Sequence, residues 1–147
     1  MRTYYVFYIN DILCNLYKNK EYVLYNMLEE LYKMKRNDIV FCYKFFKEVA
    51  YSFNKIQYNE YIFNELSNTT TYMKNINTHI INDKFSGEKT YLTVYNSHIK
   101  IKTNNDLTVF FSILNKLNKN LFICDFINYD YFFLNTCIKN DFLVECL

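Results

Sequence analysis

The chain has 147 residues, of which 51% are hydrophobic and 22% charged, and its net charge is +2. This length and hydrophobic content predict one folded domain, residues 1–147, and exclude a disordered tail. A near-neutral chain with a pI of about 8.2 also lacks the strongly basic balance that is usual in nucleic-acid binders.

Codon usage explains much of the composition. Asn, Lys, Ile, Tyr and Phe are abundant, whereas Gly occurs once and Pro is absent, a pattern typical of an AT-rich genome. The 16 Tyr and 14 Phe therefore do not by themselves indicate stacking platforms for single-stranded nucleic acid. Almost all the basic residues are Lys, and Arg2 and Arg36 are the only arginines.

The cysteines are interpreted as reduced thiols. They form no C-x-x-C pair and do not have the spacing of a structural zinc site, so we predict neither a metal nor a cofactor. Their positions are Cys14, Cys42, Cys124, Cys137 and Cys146. No apolar run reaches the roughly 18 residues of a membrane span, and the amino terminus does not have the pattern of a signal peptide. We therefore expect a cytoplasmic protein that makes no contact with a membrane.

The first elements of the chain have clear patterns. "TYYVFYI" at residues 3–9 is rich in aromatic and β-branched side chains and predicts a strand buried on both faces. Asn10 is a good N-cap, and Asp11 places a negative charge in the first turn of a short helix that ends near Lys18. A second helix follows, with Leu24, Met27, Leu28 and Leu31 spaced as a core-facing stripe.

The short first helix has more apolar surface than one stripe needs. Ile12 and Leu16 are four residues apart, and Leu13 and Tyr17 form a second pair about one residue's rotation away. Either all four side chains are buried, or part of this surface is available to a partner protein.

The middle of the chain predicts two more helices. Asn37 or Asp38 begins the third, which extends to Phe53 and has a broad apolar face, and the fourth covers residues 58–68. The pattern weakens over residues 72–85. "FSGEK", which contains the only glycine, is then typical of a loop.

The carboxy-terminal third predicts strands around one helix. "TYLTVYNSHIKIKT" alternates on both sides of a turn at Asn96 and Ser97 and indicates a β-hairpin. Asn105 or Asp106 then caps an amphipathic helix. Its apolar face contains Leu107, Phe110, Phe111, Leu114 and Leu117. "LFICDF" predicts a buried strand, and "YDYFFLN" a turn or short edge strand. These elements together predict a mixed α/β (α+β) domain whose mixed or mostly antiparallel sheet is covered by helices.

No catalytic constellation emerges from the sequence. A single glycine excludes the known phosphate-binding loops, and no recognisable motif surrounds His79 or His98. Asp125 follows a buried strand, where active sites often form, so a small enzyme that combines Asp125 with a histidine is one alternative. We predict a protein that is not an enzyme.

A nucleic-acid-binding protein is another alternative. It would use Lys100, Lys102, Lys116 and Lys119 together with neighbouring aromatic rings. A steep loss of affinity with salt would distinguish such binding from an apolar protein contact.

Several segments, in order, resemble a known family. They are the aromatic first strand followed directly by "CNLY", then "KEYVLYNMLEELY", and, near the carboxy terminus, the hairpin, "VFFSILNKL", "LFICDF" and Tyr131, Leu134 and Asn135. This order and spacing resemble SirA, the sporulation inhibitor of DNA replication found in spore-forming Firmicutes. The resemblance covers the first and last thirds of the chain and leaves residues 33–89 unaligned.

The resemblance implies a protein without catalytic activity that binds the N-terminal domain of the replication initiator DnaA and needs no direct contact with nucleic acid. In this family, two residues one turn apart on the first helix contact DnaA, and they correspond to Leu13 and Tyr17 here. Tyr17 keeps the family's aromatic side chain, whereas Leu13 is smaller than the Phe that we expect at its position. With this pair facing the partner, we expect Ile12 and Leu16 to pack inward.

Overall fold

The computed structural model describes residues 1–34 and 39–137. Its elements are β1 (Arg2–Ile9), α1 (Asp11–Leu16), α2 (Glu21–Lys33), α3 (Ile39–Val49), β2 (Ala50–Tyr51), α4 (Lys55–Leu66), β3 (Tyr72–Asn75), β4 (Thr78–Asn82), β5 (Lys89–Val94), β6 (Ile99–Thr103), α5 (Val109–Leu117), β7 (Leu121–Asp125) and β8 (Asp130–Phe133). The predicted Asn37 or Asp38 start of the third helix lies outside the described residues, as does Cys146.

The strands within these ranges form one eight-stranded sheet. Seven of them follow the order β3-β4-β5-β6-β1-β7-β8, and β2 pairs with the end of β1. Every pairing is antiparallel. The predicted mixed α/β fold with a mostly antiparallel sheet is therefore confirmed.

Helices cover the sheet on both faces because β1 directs apolar side chains to each of them. Tyr4 and Val6 belong to a first core that includes residues of α4 and α5. Phe7 and Ile9 belong to a second core, which is completed by residues of α1, α2 and α3. Alternate residues of a strand point to opposite faces of its sheet, so the two cores lie on opposite sides of β1. This agrees with the strand that the sequence predicts to be buried on both faces.

The third helix ends earlier than predicted. It stops at Val49, and Ala50 and Tyr51 instead form β2, paired with Ile9 and Tyr8. Asn10 lies at this junction, because its backbone N–H donates to the carbonyl of Val49 at 3.1 Å. Pairing with a neighbouring strand therefore ends a helix whose apolar pattern would continue to Phe53.

One hairpin is not predicted by the sequence. β3 and β4 pair across a tight turn at residues 76–77, in the region where the pattern weakens. Ile76 has a φ of 53°, which is unusual for a β-branched residue. This turn lacks the Gly or Asn-Gly that usually marks a hairpin in a sequence, so the pattern does not predict it.

Helix α5 begins later than predicted. It starts at Val109, with Thr108 as its N-cap residue, and not at Asn105 or Asp106. The Asn105 side chain instead accepts a hydrogen bond from the backbone N–H of Leu107 at 3.0 Å, which stabilises the preceding turn. Leu107 is exposed as a result. The hairpin of β5 and β6, the buried β7 and the edge strand β8 agree with the sequence predictions.

Candidate functional site

Helix α1 is attached closely to the end of β1. The Asn10 side chain accepts a hydrogen bond from the backbone N–H of Leu13 at 2.9 Å and donates one to the carbonyl of Glu48 at 2.6 Å. The first bond caps α1 as predicted, and the second joins it to the end of α3. The Asn10 side chain therefore helps to set the direction in which α1 leaves the sheet.

The orientation of α1 differs from the sequence prediction. Ile12 is 77% exposed and Leu16 61% exposed, so the expectation that these two side chains pack inward is wrong. Leu13 and Tyr17 are half-buried and pack against the second core. Two adjacent apolar stripes have the same helical period, so periodicity alone cannot tell which of them faces the sheet.

The inner side of α1 also contains Cys14. Its Sγ lies 3.7 Å from the carbonyl oxygen of Ile9, and burial, together with the nearby Asp11, raises the pKa of the thiol to about 11. The protonated thiol acts as a packing group here, since the thiolate is the reactive form of cysteine.

No residue of α1 is fully buried. This six-residue helix is too short to be stable alone, and its contacts with the second core come from half-buried side chains. Its outer stripe, Ile12 and Leu16, is apolar and exposed, which is the surface expected of a helix that contacts another protein.

Asp125, the catalytic candidate, belongs to an ion-pair cluster. The Arg2 guanidinium donates from Nε to Asp125, from Nη1 to Asp106 and from Nη2 to Asp130, at 3.0, 3.0 and 2.9 Å. Burial would raise the pKa of Asp125, but hydrogen bonds from Asn128, Arg2 and the backbone hold it below its ordinary value. The four groups are called the Arg2 cluster below.

The Arg2 cluster has a structural role that the sequence predictions missed. It joins the start of β1 to the end of β7, the start of β8 and the turn before α5. A planar guanidinium can bind three carboxylates in fixed directions, which an ammonium group cannot do. The signal was present in the sequence, since Arg2 is one of only two arginines in a Lys-rich chain.

The histidines have partners of their own. His79 is buried, and its ring nitrogens lie 2.7 Å from the Tyr72 hydroxyl and 2.8 Å from the Asn59 side-chain oxygen. His98 Nδ1 lies 2.8 Å from the Ser97 hydroxyl. Burial, together with a nearby lysine, lowers the pKa of each histidine to about 4. Neither histidine is a hydrogen-bond partner of Asp125, so the enzyme alternative gains no support.

The four lysines of the nucleic-acid alternative do not share one surface. Lys100 and Lys102 alternate along β6 with Ile99 and Ile101, which belong to the first core, so these lysines face the other side of the sheet. Lys116 lies on α5, which packs on the first core, and it pairs with Glu65 at 3.8 Å. The fold therefore divides the proposed basic patch between two faces.

Within residues 1–34 and 39–137, no group of three or more His, Cys, Asp or Glu side chains is arranged to hold a metal ion. In the same ranges, every helix is too short or too polar to cross a membrane. The exposed apolar stripe of α1, formed by Ile12 and Leu16, is the feature of the site that still needs a functional explanation.

Comparison of the sequence with models of known protein families identifies the family to which the chain belongs. The sequence model of the sporulation inhibitor of replication protein SirA matches residues 2–138. The chain belongs to the SirA family. A search of curated proteins finds no match.

The SirA match confirms the resemblance at the two ends of the chain and also covers residues 33–89, to which the resemblance does not extend. It includes β1, α1 and the Arg2 cluster. The SirA family consists of sporulation inhibitors of replication, which are regulators. The side chains that contact a partner are not defined by this match.

Replacing Arg2 by Met should lower the free energy of unfolding by about 2 kcal/mol at neutral pH, because Asp125 remains buried without its counter-charge. The loss is smaller than for a fully buried pair because the Arg2 side chain is 30% exposed. The folded-state pKa of Asp125 is lowered, so the ionised carboxylate stabilises the fold at pH values above its unfolded pKa of about 3.9. This stabilisation is lost as the pH falls through the folded-state pKa.

Urea denaturation at several pH values measures this effect. The difference between the wild type and Arg2→Met should be largest above about pH 5 and should shrink in acid. Lys33→Met is the control, since Lys33 is 64% exposed where it pairs with Glu29 at 3.4 Å, and its loss should change stability by less than about 1 kcal/mol. Equal losses in the two variants would contradict the assigned role of Arg2.

Leu13→Ala and Leu16→Ala test the orientation of α1. Leu13→Ala should lower the free energy of unfolding by about 1–2 kcal/mol, because the half-buried side chain loses contacts with the second core. Leu16→Ala should change it by less than about 0.5 kcal/mol, since Leu16 is exposed. Denaturation of the two variants is the measurement, and a larger loss for Leu16→Ala would mean that the other stripe faces the core.

Proposed function

We propose that this protein inhibits the initiation of DNA replication during sporulation by binding the N-terminal domain of DnaA through α1. Leu13 and Tyr17 are the proposed contact residues. Membership of the SirA family supports the process. The exposed apolar stripe on a short helix that buries none of its residues is the observation that supports the site.

The proposed contact surface is wider than the pair implied by the family resemblance. Leu13 and Tyr17 are half-buried, so only part of each side chain can reach a partner, and the remaining part holds α1 on the second core. Ile12 and Leu16 are exposed beside them and would add apolar area at the interface.

A smaller residue at position 13 fits this wider surface. Replacing an aromatic side chain by Leu removes apolar contact area that is worth about 1 kcal/mol. Exposed Ile12 and Leu16, one and three residues from Leu13 in the sequence, supply area of the same kind. We infer that binding here depends less on Leu13 than on the other three side chains.

The proposed contact is mainly apolar and involves no DNA. Inhibition would take place in the cytoplasm, where the initiator acts. An apolar anchor should tolerate added salt, whereas neutralisation of DNA phosphates by lysines would make binding fall steeply with salt concentration. Binding measured at about 50 and 200 mM salt therefore distinguishes the DnaA complex from the nucleic-acid alternative.

The protein should form a stoichiometric complex with the isolated N-terminal domain of DnaA from the same organism, observed by gel filtration and calorimetry. Leu16→Ser should weaken this binding at least about tenfold, which corresponds to about 1.4 kcal/mol. Tyr17→Ala should weaken it more, because truncation of an interface aromatic commonly costs about 2 kcal/mol or more. Its stability is measured in parallel, since Tyr17 also packs on the second core.

Ile56→Ser is the matched control for Leu16→Ser. Ile56 is 72% exposed and lies on α4, which packs on the first core, on the opposite face of the sheet. Ile56→Ser therefore removes a similar exposed apolar side chain on the other face of the sheet from α1. Normal binding by Leu16→Ser and Tyr17→Ala would reject α1 as the site, and separate elution of the two wild-type proteins at high micromolar concentration would reject DnaA as the partner.

Production of the protein during vegetative growth should lower the number of replication origins per cell and block colony formation. Only initiation should be affected, so replication forks that are already moving should finish their round. Marker-frequency analysis distinguishes the two stages. Stalled forks along the chromosome with normal origin firing would contradict an action on DnaA, and Leu16→Ser should be less toxic than Ile56→Ser at equal protein levels.

A further inference from the structure

A cavity lies between α2, α3 and the sheet, within the layer that contains the second core. Phe7 and Leu28 line its inner part, Phe46 of α3 lines one wall, and His98 lies at the turn before β6. Its volume is about 390 Å³, which is within the range of roughly 300–1,000 Å³ that is usual for small-molecule sites. The cavity is partly open to solvent and its lining is mostly apolar, as is usual for small-molecule sites.

The lining selects a neutral ligand. No charged side chain is among the described residues that line the cavity. The His98 ring is held between aromatic neighbours, with centroids 5.0 Å from Tyr95 and 5.5 Å from Tyr5, and burial, with Lys100 nearby, lowers its pKa to about 4. A charged ligand would lose its hydration here without gaining a counter-ion.

The aromatic composition of the lining favours an aromatic ligand. Tyr5 and Tyr32 lie at the cavity with their ring centroids 5.2 Å apart, and Phe7, Tyr43 and Phe46 add further aromatic surface. Aromatic side chains bind other rings through offset-stacked and edge-to-face contacts. Water gains little from an apolar cavity, because it finds too few hydrogen-bond partners there.

His98 provides a polar group at the cavity, beside the hydroxyl groups of the tyrosines that line it. His98 Nδ1 is occupied by the Ser97 hydroxyl, whereas Nε2 has no hydrogen-bond partner among the described residues. In the neutral ring, Nε2 either donates or accepts, depending on the tautomer. It could thus orient a ligand that has a single N–H or hydroxyl group, in the manner of pockets where a few polar groups determine specificity.

We propose that the cavity between α2, α3 and the sheet binds a small, neutral aromatic molecule that has one hydrogen-bonding group directed at His98. The apolar, aromatic lining and the position of His98 Nε2 both support this ligand class. The proposal does not depend on binding to DnaA, since none of its side chains lies on α1.

Fluorescence titration with N-phenyl-1-naphthylamine tests the proposal on the full chain. This probe is neutral and aromatic and has one N–H group. Its fluorescence should rise on binding and saturate at one probe per protein. A signal that rises without saturation, or no rise at all, would overturn the proposal.

Cys42→Trp and Val40→Trp form a matched pair of variants. Cys42 lines the cavity, so a Trp side chain there should fill the space and weaken probe binding at least about tenfold. Val40 lies on the same helix but is 69% exposed, so the same replacement there should leave binding unchanged. Equal affinities in the two variants would show that the probe binds elsewhere.

Two further measurements do not depend on the folding of Cys42→Trp. In the wild type, saturating probe should slow alkylation of Cys42 severalfold, as followed by peptide mass spectrometry. His98→Phe keeps a ring but removes the nitrogen, so it should weaken binding severalfold without abolishing it. Unchanged alkylation would overturn the assignment of the site, and unchanged affinity in His98→Phe would overturn the role of its nitrogen.

Discussion

Burial of β1 on both faces is the constraint on which the rest of the structure depends. Tyr4 and Val6 have relative exposures near zero on one face, and so does Ile9 on the other. Such a strand can be covered only by two separate helical layers, and the chain supplies α4 and α5 for one and α1 to α3 for the other. The alternation of side chains along β1 therefore requires a covering layer on each face of the sheet.

The two ends of β1 are held by different interactions. At its start, Arg2 joins three carboxylates from the carboxy-terminal half of the fold. At its end, Asn10 continues the strand into α1 and binds the last turn of α3. The Arg2 cluster thus joins elements that are more than a hundred residues apart in the sequence. The hydrogen bonds of Asn10 join elements that are about forty residues apart.

The attachment of α1 has a consequence for the proposed function. A helix of two turns would not persist in water by itself, yet here it is capped, bonded to α3 and packed through Leu13, Cys14 and Tyr17. Its outer stripe is therefore preorganised, and a partner would not have to order it on binding. The cavity beside His98 lies in the same helical layer, where α3 leaves space above Phe7 and Leu28.

The sequence by itself determined the family, the mixed α/β class, β1, β7, the β5–β6 hairpin and the Asn10 cap, because each of these depends on local pattern, capping chemistry or residue order. Only the tertiary structure decided where α3 ends, since pairing of Ala50 with Ile9 is a contact between distant segments. It also decided that Leu13 and Tyr17, and not Ile12 and Leu16, face the second core. Helical periodicity fixes which side chains share a stripe, but the direction of that stripe depends on how the helix is attached to the sheet.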